Sequence, residues 1–139
     1  MATEFDITIQ DGYEDLGVQY FQPGETIKGS VTVIPGKDMN CRHLYIRLLW
    51  HTEGRGTRYT DVVDEIDVFQ GKLQNGMPRT FDYTFTLPRD PWSHEGHYVS
   101  VVWKIQAQID LAWSSDPKGE LAFVMAPRRG GGAGRMELT

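Results

Sequence analysis

Apolar and polar side chains alternate along most of this chain with a period of two, the pattern of strands that bury one face and wet the other. Ile27, Val31 and Val33 fall on one side of a strand whose other side carries Thr26, Lys28, Ser30 and Thr32. Phe5, Ile7 and Ile9 alternate in the same way with Asp6, Thr8 and Gln10, and Leu44, Ile46, Leu48 and Trp50 with Tyr45, Arg47 and His51. Phe81, Tyr83, Phe85 and Leu87 interleave with Thr80, Asp82, Thr84 and Thr86. The longest stripe is Val99, Val101, Trp103, Ile105, Ala107 and Ile109, backed by Ser100, Lys104, Gln106, Gln108 and Asp110. A last strand is expected near Leu121, Phe123 and Met125, and Val62, Ile66 and Val68 mark one more among Asp61, Asp64, Glu65 and Asp67. No window of helical length has apolar residues at i, i+3 and i+4. The pattern therefore predicts seven or eight strands and no helix.

Turn dipeptides separate these stripes: Asp11-Gly12, Pro23-Gly24, Pro35-Gly36, Asn75-Gly76, Asp116-Pro117 and the stretch 88–91. Each supplies a residue suited to a reversal, glycine for positive φ or proline for a preset φ. Strands and turns in this rhythm predict an all-β, immunoglobulin-like sandwich of two antiparallel sheets. Residues 44–69 read as one long hairpin with the tip EGRGTR, where Gly54 and Gly56 permit the tight reversal. Residues 1–126 are expected to form one domain. Residues 127–139, PRRGGGAGRMELT, have no core-forming pattern before Met136 and Leu138, and their glycines make order entropically costly, so they are expected to form a flexible tail. There is no internal repeat.

Composition narrows the functional classes. A length of 139 residues, 40% of them hydrophobic, suits one domain with one sizeable core. The formal net charge of −5 sets the long-range field against nucleic acid and anionic membrane surfaces. The single cysteine, Cys41, rules out an intrachain disulfide and a multi-cysteine metal site. There is no basic-then-apolar leader at the start and no apolar run long enough to span a bilayer, which points to a cytoplasmic protein that does not insert in membranes.

Candidate chemistry is sparse. His94 and His97 in WSHEGH have a His-x-x-His spacing that could place two imidazoles on zinc, but no third ligand follows at a suitable spacing, and exposed loop histidines are the commoner meaning. Asp61, Asp64, Glu65 and Asp67 offer hard oxygen ligands of the kind calcium takes, yet they sit inside a strand-like stretch, where a solvated face or a charged edge guarding against aggregation is the better reading. Cys41 and His43 are expected on opposite faces of their strand, which leaves no nucleophile–base pair, and Cys41 reads as a small buried hydrophobe. Trp50 and Trp103 belong to core stripes. Trp92 and Trp113 flank the longest strand in loop-like contexts, where exposed rings could stack on sugars, so a carbohydrate-binding sandwich is an alternative function and an enzyme a weaker one.

In order along the chain, YFQPGETIKGSVTV (20–33), CRHLYIRLLWHTEGRGTRY (41–59), TFDYTFTLP (80–88) and WSHEGHYVSVVWKIQAQIDLAW (92–113) resemble the N-terminal domain of the arrestin-like superfamily. In that family a Pro-Gly-Glu turn leads a strand with G-x-V-x-V, a later strand ends in Leu-Pro, and a loop with Glu-Gly precedes a long strand ending near Asp. The likeness covers about residues 5–126 and extends, at that general level, to bacterial sporulation-control and retromer arrestin-like subunits. It implies a non-enzymatic adaptor or scaffold that binds a protein partner through loops and sheet edges, with no cofactor, catalytic residue or metal. The phosphate-sensing polar core of the two-domain arrestins does not carry over, because it is built partly from a second domain and these residues supply one sandwich. The expected partner-binding elements are the hairpin tip 53–59, with Arg55 and Arg58 to pair with anions and Tyr59 at its end, and the loop 92–97 with Trp92, His94 and His97. A homodimer through a sheet edge, or through the surface a second domain would cover, is expected as well, with Met136 and Leu138 packing on the neighbour; the alternative is a different protein in the place of that domain.

Overall fold

The computed structural model describes residues 2–56, 58–96, 98–112 and 115–127. The seven long strands expected from the alternation are β1 (Glu4–Gln10), β4 (Thr26–Ile34), β5 (Met39–Gly54), β6 (Thr60–Leu73), β7 (Arg79–Thr86), β9 (Val99–Leu111) and β10 (Lys118–Met125). Three short strands bring the total among the described residues to ten: β2 (Tyr13–Asp15), β3 (Val18–Phe21) and β8 (His94–Glu95). Pieces of two to four residues are too short to display a period, which is why alternation alone does not find them.

The strands form a two-sheet sandwich. One sheet has the order β1-β4-β7; the other follows β2-β3-β10-β9-β5-β6, with β8 added beside the start of β9. Pairings are antiparallel except that of β3 with β10, where Tyr20 lies opposite Val124 and Phe21 opposite Met125 in parallel. The core lies between the sheets. Ile27, Val31 and Val33 of β4 are fully buried, as are Leu44, Ile46 and Leu48 of β5 and Trp103, Ile105, Ala107 and Ile109 of β9. These are the apolar stripes of the sequence, now facing each other.

Two local irregularities decide where polar groups go. A regular strand places residues i and i+2 on one face, so Cys41 and His43 would share a side. They do not, because the β5–β9 register shifts between them, Cys41 pairing with Leu111 and His43 with Asp110. Cys41 joins the core, and the His43 ring stays at the surface, 2.6 Å from Asp67 Oδ2. The reverse face of β5 also departs from the expected solvated surface. Leu49 and His51 are only 2% and 4% exposed, and Lys104 and Gln106 on β9 are buried beside them.

Candidate functional site

The β5–β6 hairpin narrows to its tip through paired bonds between Thr52 and Tyr59: the Thr52 N–H donates to the Tyr59 carbonyl at 2.8 Å, and the Tyr59 N–H donates to Thr52 Oγ1 at 2.9 Å. Gly54 and Gly56 have the positive φ values that the reversal requires, 146° and 90°. Gly54 has a second reason to be glycine, since a Cβ there would stand 2.0 Å from the Tyr98 carbonyl oxygen. That contact seats the tip on the segment leading into β9. The Arg55 N–H donates to the same carbonyl at 3.2 Å, and its guanidinium lies 5.6 Å from the Tyr98 ring centroid. Arg55 and Arg58, with Thr52, Glu53, Gly54 and Val99, line a cavity of about 360 Å³. The Tyr59 ring packs against Trp50 at 5.3 Å and remains 55% exposed.

The segment before β9 is held by three hydrogen bonds, one to β9 and two to the end of β10. The Trp103 indole N–H donates to the Pro91 carbonyl at 2.7 Å, the Ser93 N–H donates to the Met125 carbonyl at 2.7 Å, and the Met125 N–H donates back to Ser93 Oγ at 2.9 Å. β8 then pairs His94 with Val101 and Glu95 with Ser100. Trp92 is 52% exposed, its indole N–H bonded to the Arg89 carbonyl at 2.9 Å. Both loops read from the sequence as recognition elements thus converge on the start of β9, and Arg55, Arg58, Tyr59, Trp92 and His94 belong to one end of the larger sheet. His97 lies outside the described residues, as do Trp113, Met136 and Leu138.

Between these loops and the β2–β3 hairpin runs a groove of about 410 Å³ that the sequence reading missed. Val18, Val102, Ala122 and Val124 give it an apolar lining; Glu53 and Glu95 supply its charge, and His94 lines it beside them. Glu53 also lines the Arg55–Arg58 cavity, so the two hollows share a wall. Its carboxyl is held below the usual range, first by its hydrogen bond to His51 Nε2 at 2.8 Å. His51 Nδ1 is buried without a hydrogen-bond partner among the described residues. A signal was present in the sequence: Val102, Ala122 and Val124 are apolar at positions that alternation assigns to the outer face.

The other candidates resolve separately. Among the described residues no three His, Cys, Asp or Glu side chains gather as metal ligands. The carboxylates of β6 are spread along a sheet edge, Glu65 engaged by Arg47 at 2.5 Å and Asp67 by His43 and Gln70. Burial, reinforced by the charges of Asp67 and Asp110, pushes the Cys41 thiol up to about 11 and keeps it protonated at neutral pH. A protonated buried thiol is a poor nucleophile. No helix among the described residues is long and apolar enough to cross a membrane.

Comparison with protein-family models and with curated proteins returns no match. Among solved structures, the chain is similar to Spo0M, a sporulation control protein from Bacillus subtilis, with a TM-score of 0.68 over 92% of this chain at 21% sequence identity. The chain spans about half of that structure, 51% of its length. At that identity the likeness is one of fold, and the fold it supports is the arrestin-like sandwich built above.

Proposed function

We propose that this chain is a non-enzymatic protein-interaction module, an arrestin-like adaptor or scaffold of the cytoplasm, that engages a protein partner through the end of the larger sheet. The observation that carries this reading is the docking of the hairpin tip on the loop before β9, through Gly54, Arg55 and Tyr98. Two sequence-distant loops fixed to each other form one shaped surface rather than two independent tethers, and preorganisation lowers the entropic cost of binding. Arg55 and Arg58 offer charge-assisted hydrogen bonds to carboxylates, and the half-exposed Trp92 ring offers apolar contact area. The description of Spo0M as a sporulation control protein is compatible with a regulatory role of this kind. As part of the same reading, the chain associates with itself through a sheet edge.

The test is affinity capture from native lysate with the wild-type chain and with the combined variant Arg55→Ala, Arg58→Ala, Trp92→Ala. Loss of a specifically captured protein with the variant, at least tenfold by quantitative mass spectrometry, is expected. An unchanged yield overturns the assignment of both loops.

A further inference from the structure

The apolar lining of the groove does not stop at its edge. Val18 and Tyr20 occupy the same face of β3, and Tyr13, paired with Tyr20, sets its ring 6.1 Å from the Tyr20 ring. Tyr13 and Tyr20 are 59% and 39% exposed. At the tip of this hairpin, Leu16 adopts φ 52° and Gly17 φ 80°, a two-residue reversal of the kind that favours Asn-Gly. Leucine at such a position is uncommon, and Leu16 is 95% exposed. An apolar side chain in an unfavourable backbone conformation, held out in water, gains nothing from the fold around it. Surfaces of this kind mark interaction sites.

Charge identifies the occupant. Asp15, paired with Val18 on the hairpin, and Glu53 and Glu95 border the apolar surface, and among the described residues no lysine or arginine lines the groove. Arg58 and Lys104 also favour the Glu53 carboxylate, ranking after its bond to His51. Asp15 and Glu95 are exposed carboxylates. We infer that the groove and the adjoining face of the β2–β3 hairpin bind an extended segment of a partner protein whose bulky apolar side chains alternate with lysine or arginine. The apolar side chains lie against Val18, Val102 and Val124, and the cations meet Asp15, Glu53 and Glu95. This deepens the interaction-module reading, giving the partner a chemistry and assigning it a surface beside Arg55 and Arg58 that those arginines do not form.

The probe is a fluorescein-labelled peptide of alternating Leu and Lys, measured by anisotropy against the full chain, with an alternating Leu and Glu peptide of the same length as its counterpart. Binding of the Leu–Lys peptide alone is expected, weakened at least tenfold by Asp15→Lys with Glu95→Lys and, separately, by Val18→Asp. Lys28→Glu on the other sheet is expected to leave it unchanged, and circular dichroism of each variant checks the fold. Equal binding of both peptides, no binding of either, or no loss on charge reversal overturns the inference. Residues 128–139 of this chain carry related chemistry in Arg128, Arg129, Arg135, Met136 and Leu138. Reversing those three arginines in the full chain leaves peptide affinity unchanged if the site serves a partner. A tenfold gain would make the chain's own tail the occupant and overturn the assignment. Persistence of the lysate partner's sensitivity to Arg55, Arg58 and Trp92 alongside failure of the peptide would remove this inference and leave the interaction-module reading standing.

Discussion

Gly29 sits in the middle of β4, where glycine is normally a weakness, and its surroundings explain it. A Cβ at this position would lie 1.9 Å from the Thr8 carbonyl oxygen and 2.7 Å from the Tyr83 hydroxyl, which donates to that same carbonyl at 2.8 Å. Burial pushes the Tyr83 phenol well above its ordinary range, so it remains a donor at all ordinary pH values. Gly29→Ala must displace backbone rather than a flexible side-chain end, and a loss of about 3 kcal/mol, the upper part of the range for overpacking, is expected in urea unfolding. Leu16 gives the opposite sign. Its φ of 52° is one that asparagine adopts far more readily than leucine, so Leu16→Asn is expected to raise the unfolding free energy by about 1 kcal/mol in the same assay. The sequence displays the glycine of G-x-V-x-V and the Gly-rich hairpin tip, but not the reasons for Gly29 and Gly54, because Thr8, Tyr83 and Tyr98 come close only after the sheets form.

At the scale of the strand, alternation marks the core faces and underdetermines the outer ones. The outer face of the larger sheet carries a ladder of polar side chains: Arg47 meets Glu65, Gln106 and Gln108, while Glu120 accepts from Lys104 Nζ at 2.6 Å and from Gln106 Nε2 at 2.7 Å. The sequence shows these residues on the polar side of their stripes, but not that Lys104 is buried, since its cover comes from neighbouring strands. For the same reason the groove escaped the sequence reading, its lining being divided among β3, β9 and β10. Burial raises the Glu120 pKa, yet the bonds from Lys104 and Gln106 outweigh it and the net shift is downward; at Asp67 burial is likewise outweighed by the bonds from Gln70 and His43. A carboxylate whose folded pKa is depressed adds stability above its unfolded value, about 4, and loses it as pH falls through the folded value. Unfolding free energy is therefore expected to decline as pH drops below about 4. Glu120→Gln leaves the Lys104 ammonium buried without its counter-charge, and with Glu120 itself 34% exposed the loss at neutral pH is expected to be about 2 kcal/mol, below the range for fully buried pairs. The variant should also show a shallower decline in acid, as measured by urea titration at several pH values.

Across the whole molecule, the sheet edges determine how two copies could meet. β6 is the longest edge strand, and Asp61, Asp64, Glu65 and Asp67 run along it. A twofold antiparallel pairing of β6 with its own copy would bring carboxylates opposite carboxylates, which is destabilising, so this edge repels itself and keeps the long hairpin from aggregating. β1 carries Glu4 and Asp6 and lies against β10, and β2 has only three residues to offer. β7 is the remaining edge. Its eight residues, RTFDYTFT, include one cation and one anion, and its threonines favour strand pairing, as the 2.8 Å contact between the Thr80 and Thr32 hydroxyls within the sheet illustrates. Pairing of β7 with its copy would join the two three-stranded sheets into one and satisfy the outer backbone groups of both. Light scattering is accordingly expected to give about twice the 15.8 kDa chain mass at high micromolar concentration, falling toward the single-chain mass on dilution. Hydrogen exchange should follow in parallel, with the β7 amides that point away from β4 slow in the concentrated sample and fast in the dilute one. A constant 15.8 kDa species with β7 exchange independent of concentration would assign that edge to a different protein, or to solvent.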